Sequence, residues 1–544
     1  MKRLPSARAG VATLLVIAAG GCGDRNRLWD VPPTTSSPLG LADAVAVPDP
    51  GAERVLLLTT DASRSLTVTP VPIQRGARTF AVAADRSKLF VVSAGDDGPP
   101  PPWAKAPQEP ALEIVTRDPA GRSRYPLDQP FGGLALDPLG QWAVLYADDT
   151  SSGLVQNPNE LLLVDLTAPP SSGATSNPTP HTLRSFGGRP QRFTFTEVLQ
   201  LPGGPRRLLI VETDQDVALV DLLHPSDPEI TIQLSSGQDT RVIHPAGVAI
   251  TDGDAATDDA RIAIRVDDSS VVIATLVPAT GRDFRPDLNL SDVGGVPSDV
   301  AWVRTDAGAL ALAALVPTAS KAVIVDPATG VAEDVALPAA YQRLSMVTAE
   351  AGAAATGTAS AAPVDVALLW GGANGGVAFW ELGRVAGQPY RSVETVGVTS
   401  GVTSVVDVNG LHPELKILGT NAATLFLLDL AARTSAPFTT SAPGVRFLPA
   451  TRGDRAWAFM PDRAQLASID LATLHPQALP IERAVSSLFD IAAADGSPPA
   501  GARSLVAVHQ VGTWGATVYD AAAVAAAEDH TNYAGLLTEG IDAP

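Results

Sequence analysis

Between Lys321 and Gly330 the chain reads KAVIVDPATG. The β-branched, apolar run Ala322 to Val325 makes a strand with no polar face, and Asp326-Pro327-Ala328-Thr329-Gly330 turns the chain at its end. The phrase recurs. ELLLVDL ends near Asp165, DVALVDL near Asp221, ATLFLLDL near Asp429, QLASIDLATL near Asp470 and ATVYDAAA near Asp520. Two intervals are double the others, and a degenerate copy fills each: VVIATLVPATG puts Val277 where the aspartate belongs, and GVAFWELGR puts Glu381 there. Upstream, EIVTRDPAGR supplies Asp118 and RSLTVTP supplies Thr69, which makes ten copies. Their spacing is about 50 residues, close to the period of repeats that carry four strands each.

Individual copies parse into four strands. FTFTEVLQL, RRLLIVET, DVALVDL and ITIQLS follow one another in the fourth copy; SDVAWVRT, ALALAALV, KAVIVD and EDVALP do so in the sixth. Such a unit cannot bury both of its faces alone and has to stack on neighbours. The expected fold is therefore all-β, a β-propeller of about ten blade-like repeats over residues 39–540, as a single large ring with two smaller propellers as the alternative. The repeat resembles that of bacterial envelope proteins with surface-layer-type propeller repeats, whose third strand ends in Ile-Asp or Val-Asp before a Thr-Gly turn. That resemblance implies an architecture and no chemistry. The repeated aspartates read chiefly as residues that start the turn after a strand.

Composition agrees with a large packed body. The 544 residues are 45% hydrophobic and 18% charged, which excludes global disorder. With 58 acidic against 38 basic residues the net charge is -20, unsuited to a phosphate backbone, so nucleic acid is not an expected partner. One Cys excludes an intrachain disulfide, a Cys-based zinc site and a CxxC redox pair.

That Cys has a telling position. Lys2, Arg3 and Arg8 precede the apolar stretch Ala9 to Ala19, which is too short to span a bilayer, and Ala19-Gly20-Gly21 leads into Cys22. The arrangement resembles the lipobox of bacterial lipoproteins, with Ala19 in place of the usual aliphatic residue. It implies a signal peptide over 1–21 and lipid attachment at Cys22; the other reading is ordinary signal cleavage that leaves a free thiol. Residues 22–38 are polar and Pro-rich and read as a flexible tether reaching roughly 20–25 Å. Gly23 rather than Asp follows the Cys, which by the same resemblance favours the outer over the inner membrane.

Catalytic signatures are missing from the sequence: no Walker A loop, GxSxG elbow, HExxH helix or GxGxxG fingerprint occurs. His224, His244, His412 and His475 each precede a proline and belong in turns. Asp252, Asp254 and Asp258 fail the EF-hand pattern, with Thr257 at its glycine and Ala263 at its final glutamate. One constellation remains. The turns between second and third strands carry Asp61, Asp96 with Asp97, Asp148 with Asp149, Asp214 with Asp216, and Asp267 with Asp268. The next three, Pro317-Thr318, Gly371-Gly372 and Gly419-Thr420, are uncharged, and Asp462 resumes the series. Arg54, Arg86, Arg206, Arg207, Arg261, Arg452, Arg455 and Arg503 are expected on the opposite face. Asp97, Asp149, Asp214, Asp216 and Asp268 form the candidate site, either a weak divalent-cation patch or solvated turn residues. Insertions at Gly98–Pro110, with Trp103, and at Pro169–Pro180 read as surface loops, and Ala349–Ala362 as a flexible one.

Two functions fit. One is a lipid-anchored, non-catalytic binding scaffold of the cell envelope, holding an envelope protein, a glycan or a cation, with no cofactor beyond that cation. The other is a propeller enzyme, a lactonase-like hydrolase or quinoprotein, working at the central channel. Inner strands such as GGLALD, AGVAIT and SDVAWV are small and apolar, which favours the scaffold. Lipidation has a direct test: cells grown with a labelled fatty acid should label the protein, and Cys22→Ser should lose both label and membrane sedimentation. Persistence of both in the variant would refute it.

Overall fold

A computed structural model describes residues 34–538 apart from 97–105, 119–120, 152–153, 172–175, 185–187, 202, 235–242, 253–258, 281, 348–364, 373–375, 385–390, 409–411, 441–444, 450–454, 462, 494–502, 513 and 522–529. Cys22, Asp97, Trp103, Ala349–Ala362, Arg452 and Asp462 thus lie outside the described residues. The chain forms ten four-stranded antiparallel sheets, each built from four consecutive strands in sequence order. Blades 1 to 10 span 39–72, 77–126, 133–182, 190–233, 245–292, 299–336, 343–396, 402–439, 446–478 and 487–534. We call the strands of a blade a to d, from the channel outward. It is a single ten-bladed β-propeller.

The ring follows from the middle strands. In Leu89–Ser93, strand b of blade 2, Phe90 and Val92 pack towards blade 3 while Leu89 and Val91 pack towards blade 1. A strand alternates sides at every residue, so a strand apolar throughout needs a neighbour on each face. The ten hydrophobic clusters correspond one to one with the ten interfaces between adjacent blades. One of them closes the ring, where Val45, Val47, Leu56 and Leu58 of blade 1 meet Ile491, Val506, Val508 and Val518 of blade 10. No strand is exchanged at this seam, since both blades are complete in themselves. Outer strands such as Leu66–Pro72 and Ala332–Ala336 alternate with exposed polar residues, as a solvent-facing edge should.

Turns a–b and c–d emerge on one face, here the a–b face; turns b–c and d–a emerge on the other, the b–c face. Buried and half-buried arginines staple neighbouring blades on both. Arg86, in the a–b turn of blade 2, donates to the carbonyls of Gly40 and Leu41 in blade 1 and of Asp490 in blade 10. Arg207 of blade 4 donates to Asp137 of blade 3, with Nη1 2.8 Å from Oδ2. On the b–c face Arg54 pairs with Asp49 at 3.0 Å and donates to the carbonyl of Leu537 at 2.6 Å, tying down the last turn of the chain.

The repeated aspartates start c–d turns. Asp165, Asp221, Asp326, Asp429 and Asp470 each accept backbone N–H groups two or three residues on. The degenerate copies have no turn there to start: strands Ser270–Ala279 and Val377–Arg384 run straight through Val277 and Glu381. The first copy is displaced by one strand from the expected parse. Thr69 belongs to the outer strand Leu66–Pro72, and the repeat aspartate is Asp61, which accepts from Ser63 Oγ and Ser65 N–H. The cause is an inner strand, Leu39–Gly40, of only two residues, too short to show as a periodic run. Asp61 therefore lies on the a–b face and Arg54 on the b–c face, the reverse of the sequence expectation. The Pro169–Pro180 insertion is not a free loop either: it runs into outer strand Thr179–Thr182, and the amide of buried Asn177 bonds the backbone of Asp165.

Among the described residues no helix is long and apolar enough to cross a membrane. Leu56 at the seam and Ile210 in the blade 4–5 interface are both fully buried. Leu56→Ala and Ile210→Ala should each cost about 2–5 kcal/mol in urea unfolding. A cost near zero for Leu56→Ala alone would mean that the ring stands open at its seam.

Candidate functional site

The b–c turns of blades 2, 4 and 5 share one device. Asp96 of blade 2 takes Arg75 Nε and Nη2 at 2.6 Å each and the Gln108 N–H at 2.8 Å. Asp214 of blade 4 accepts the Arg189 N–H at 3.0 Å, and Asp267 of blade 5 accepts the His244 N–H at 2.9 Å. In each case the carboxylate reaches back to the segment that leads into strand a of its own blade. It braces the d–a connection against the b–c turn.

Asp148, Asp149, Asp216 and Asp268 also lie on this face. Asp148 accepts from Thr150 and Ser151, Asp216 is buried with Thr213 Oγ1 at 2.6 Å, and Asp268 accepts the Ser270 N–H at 2.7 Å. Asp149 is exposed. So Asp149, Asp214, Asp216 and Asp268 do come to one face, but three of the four direct a carboxylate oxygen to their own turn or blade. Among the described residues no group of three or more His, Cys, Asp or Glu is arranged to hold a metal ion.

Blade 7 lacks the brace. Its b–c turn opens with Gly371-Gly372, and among the described residues the turn meets the lead-in through main chain, Gln342 N–H donating to the carbonyl of Trp370 at 3.0 Å. Gly372 has φ +100°, and an added Cβ would strike the carbonyl oxygen of Ala340, so the turn is held to glycine. In blade 8 the turn residue Thr420 closes on itself, donating to the Thr424 carbonyl at 2.7 Å. A cavity of about 770 Å³ opens between blades 7 and 8, lined by Gln342, Arg343, Trp370, Ser400, Thr403 and Asn421 around the glycines.

Arg343 is the charged group of this lining, and its guanidinium is exposed. It stands at the end of a chain of charges running along the face from blade 4. Arg192 meets Glu212 at 3.3 Å and the Ala246 carbonyl at 2.5 Å; Arg265 donates to the carbonyls of Ala246 and Pro297; Asp299 accepts the Leu344 N–H at 3.0 Å. Burial pushes the Glu212 carboxyl up, and Arg192 and Arg265 hold it back. Arg265 is lowered by burial first, and the nearby cations Arg192 and Arg343 add to that. Each earlier arginine has an oxygen to bind. The Arg343 guanidinium makes no hydrogen bond or ion pair among the described residues and meets Arg265 as a like charge. Trp370, half-buried beside it, has its indole N–H 3.2 Å from Ser345 Oγ, which sets the plane of the ring.

A nucleophile and base do approach one another elsewhere. In blade 10, His509 Nε2 lies 2.9 Å from Thr517 Oγ1, and His509 Nδ1 donates to the Ala484 carbonyl at 2.8 Å. Both residues are 2% exposed, so no substrate reaches them, and burial lowers the His509 imidazole. The trio with Asn532, 2.6 Å from Thr517 Oγ1, joins three strands of the blade and is structural.

The sequence search passed over Arg343, Trp370, Ser400, Thr403 and Asn421. The available signal was the loss of aspartate from the b–c turns of three successive blades, with paired glycines in one.

No family model and no curated protein matches the chain. Solved structures with similar shape include Sqt1 of Saccharomyces cerevisiae, at 13% identity over 69% of this chain and 91% of that one, TM-score 0.38. Another is dihydro-heme d1 dehydrogenase NirN in complex with DHE, at 14% identity over 76% of each chain, TM-score 0.37. A third is the Dos1 propeller, at 11% identity over 82% of this chain and 93% of that one, TM-score 0.35. At these levels the likenesses say nothing of this chain's ligand.

The brace in blade 2 carries a pH signature. The Arg75 guanidinium, with the Gln108 N–H, holds the Asp96 carboxyl down at about 2. A depressed carboxyl stabilises the fold above its unfolded value near 4 and loses that contribution as pH falls through about 2. Asp96→Asn should therefore melt below wild type from pH 5 to 7, with the gap narrowing between pH 4 and 2. A gap independent of pH in thermal melts would refute the ion-pair role.

Proposed function

We propose that this chain is a lipid-anchored, non-catalytic binding propeller of the bacterial cell envelope, that it is held to the outer membrane through Cys22, and that it presents its ligand site on the b–c face between blades 7 and 8. The observation that carries the reading is the chemistry of the cavity wall. Its eleven lining residues offer a cation, an indole, hydroxyls, amides and glycine backbone, and include no carboxylate, imidazole, thiol or lysine. Groups of the first kind hold a ligand, whereas hydrolysis or proton abstraction calls for the second.

The route of the chain fits an anchored molecule. Ser36 donates its N–H to the Pro48 carbonyl at 3.2 Å, so the first described residues, 34–38, join blade 1 at the b–c face. The enzyme alternative, a lactonase-like hydrolase or quinoprotein at the channel, needs several free polar groups converging on the axis. Asp299, at the start of an inner strand, is engaged with the N–H groups of Val300 and Leu344.

A photoreactive residue placed at Asn421 on the lip should cross-link an envelope component in intact cells; one at Leu223, exposed in a c–d turn of the opposite face, should not. Equal cross-linking from both faces would refute the assignment. So would saturable lactone hydrolysis, or turnover after quinone reconstitution, by the purified protein.

A further inference from the structure

We infer that the cavity between blades 7 and 8 takes a carboxylate-bearing sugar residue, a uronic acid of a polysaccharide, with Arg343 on the carboxylate and Trp370 against the sugar ring; this rests on the binding reading above. The charge of the site sets the class of anion. A guanidinium is a planar fork that matches a carboxylate in two parallel hydrogen bonds. The cavity offers that fork once, balanced by neutral donors and acceptors. One cation neutralises one carboxylate, while a phosphate dianion would be left with charge unmet. On the same face Asp96, Asp214 and Asp267 already have partners and do not compete for Arg343.

The rest of the wall selects a polyhydroxylated body. Ser400 and Thr403 supply hydroxyls, and Gln342 and Asn421 supply amides, all able both to donate and to accept. Trp370, its N–H already directed to Ser345, is left to offer its apolar ring, suited to the C–H face of a sugar. A volume of about 770 Å³ is ample for more than one ring, and small-ligand sites commonly measure about 300–1,000 Å³. Gly371 and Gly372 keep the wall low. Arg343 lies against the first of them, where an added Cβ would stand 3.8 Å from Arg343 Cγ.

The test is calorimetric titration of the folded protein with a uronic-acid trisaccharide and with the neutral trisaccharide of the same linkage. Wild type should favour the uronate, and added salt should weaken the uronate alone. Arg343→Gln should lose about tenfold or more of the uronate affinity while its affinity for the neutral sugar stays unchanged. Asn421→Trp, at an exposed position that tolerates bulk, should block both sugars with melting unchanged. No preference for the uronate in wild type, or undiminished binding by Arg343→Gln, would overturn the proposal. If the Asn421 cross-link persists in that event, the ligand class fails and the ligand face stands; if the cross-link is also absent, both fail.

Discussion

Everything in this molecule depends on the interfaces between blades. A four-stranded sheet whose strands b and c are apolar on both sides has two faces to hide and no means of hiding either alone. Stacking covers them one after another, and the stack ends only when the last blade meets the first. Ten clusters for ten blades is the closed solution. Because the seam is made of the same apolar contacts as the other interfaces, no exchanged strand is needed. Arg86 adds a polar tie across blades 1, 2 and 10 by satisfying three carbonyls at once.

Given that frame, aspartate acquires two separate duties according to the turn it occupies. In c–d turns it caps the turn itself, through backbone N–H groups two or three residues ahead, as Asp326 and Asp429 do. In the b–c turns of blades 2, 4 and 5 it reaches across to the lead-in of strand a, as Asp96, Asp214 and Asp267 do. One residue type thus serves both faces. This explains where a cavity can form. Blade 7 drops the carboxylate for two glycines, the lead-in keeps its side chains unengaged, and the space between blades 7 and 8 is left open with Arg343 at its edge.

The reactive-looking groups sort by access. His509 and Thr517 are close enough for chemistry and are sealed inside blade 10. Glu212, its carboxyl raised by burial, is held by Arg192. Arg343 is the reverse case, an exposed cation whose guanidinium has no partner among the described residues. In a molecule of net charge -20 an exposed arginine at the edge of a wide, otherwise uncharged cavity, with Arg265 close by, is a local inversion of the field, and fields of that kind recruit anions.

Much of this was legible in the chain. The recurrence of KAVIVDPATG-like phrases about every 50 residues determined the blade, its four strands and the role of its terminal aspartate, because strand alternation and turn chemistry are local and each copy repeats them. The acidic series and its interruption at Gly371-Gly372 were visible as well. The first blade was misread by one strand because Leu39–Gly40 is too short for any periodicity to mark it. Tertiary structure alone decided the single closed ring, the split of Asp61 from the other turn aspartates, and the meeting of Arg343, Trp370, Ser400, Thr403 and Asn421. Those residues come from four segments and two blades, each unremarkable in its own stretch. They share a cavity only because two neighbouring blades, pressed together by their apolar faces, bring those four segments to one place on the b–c face.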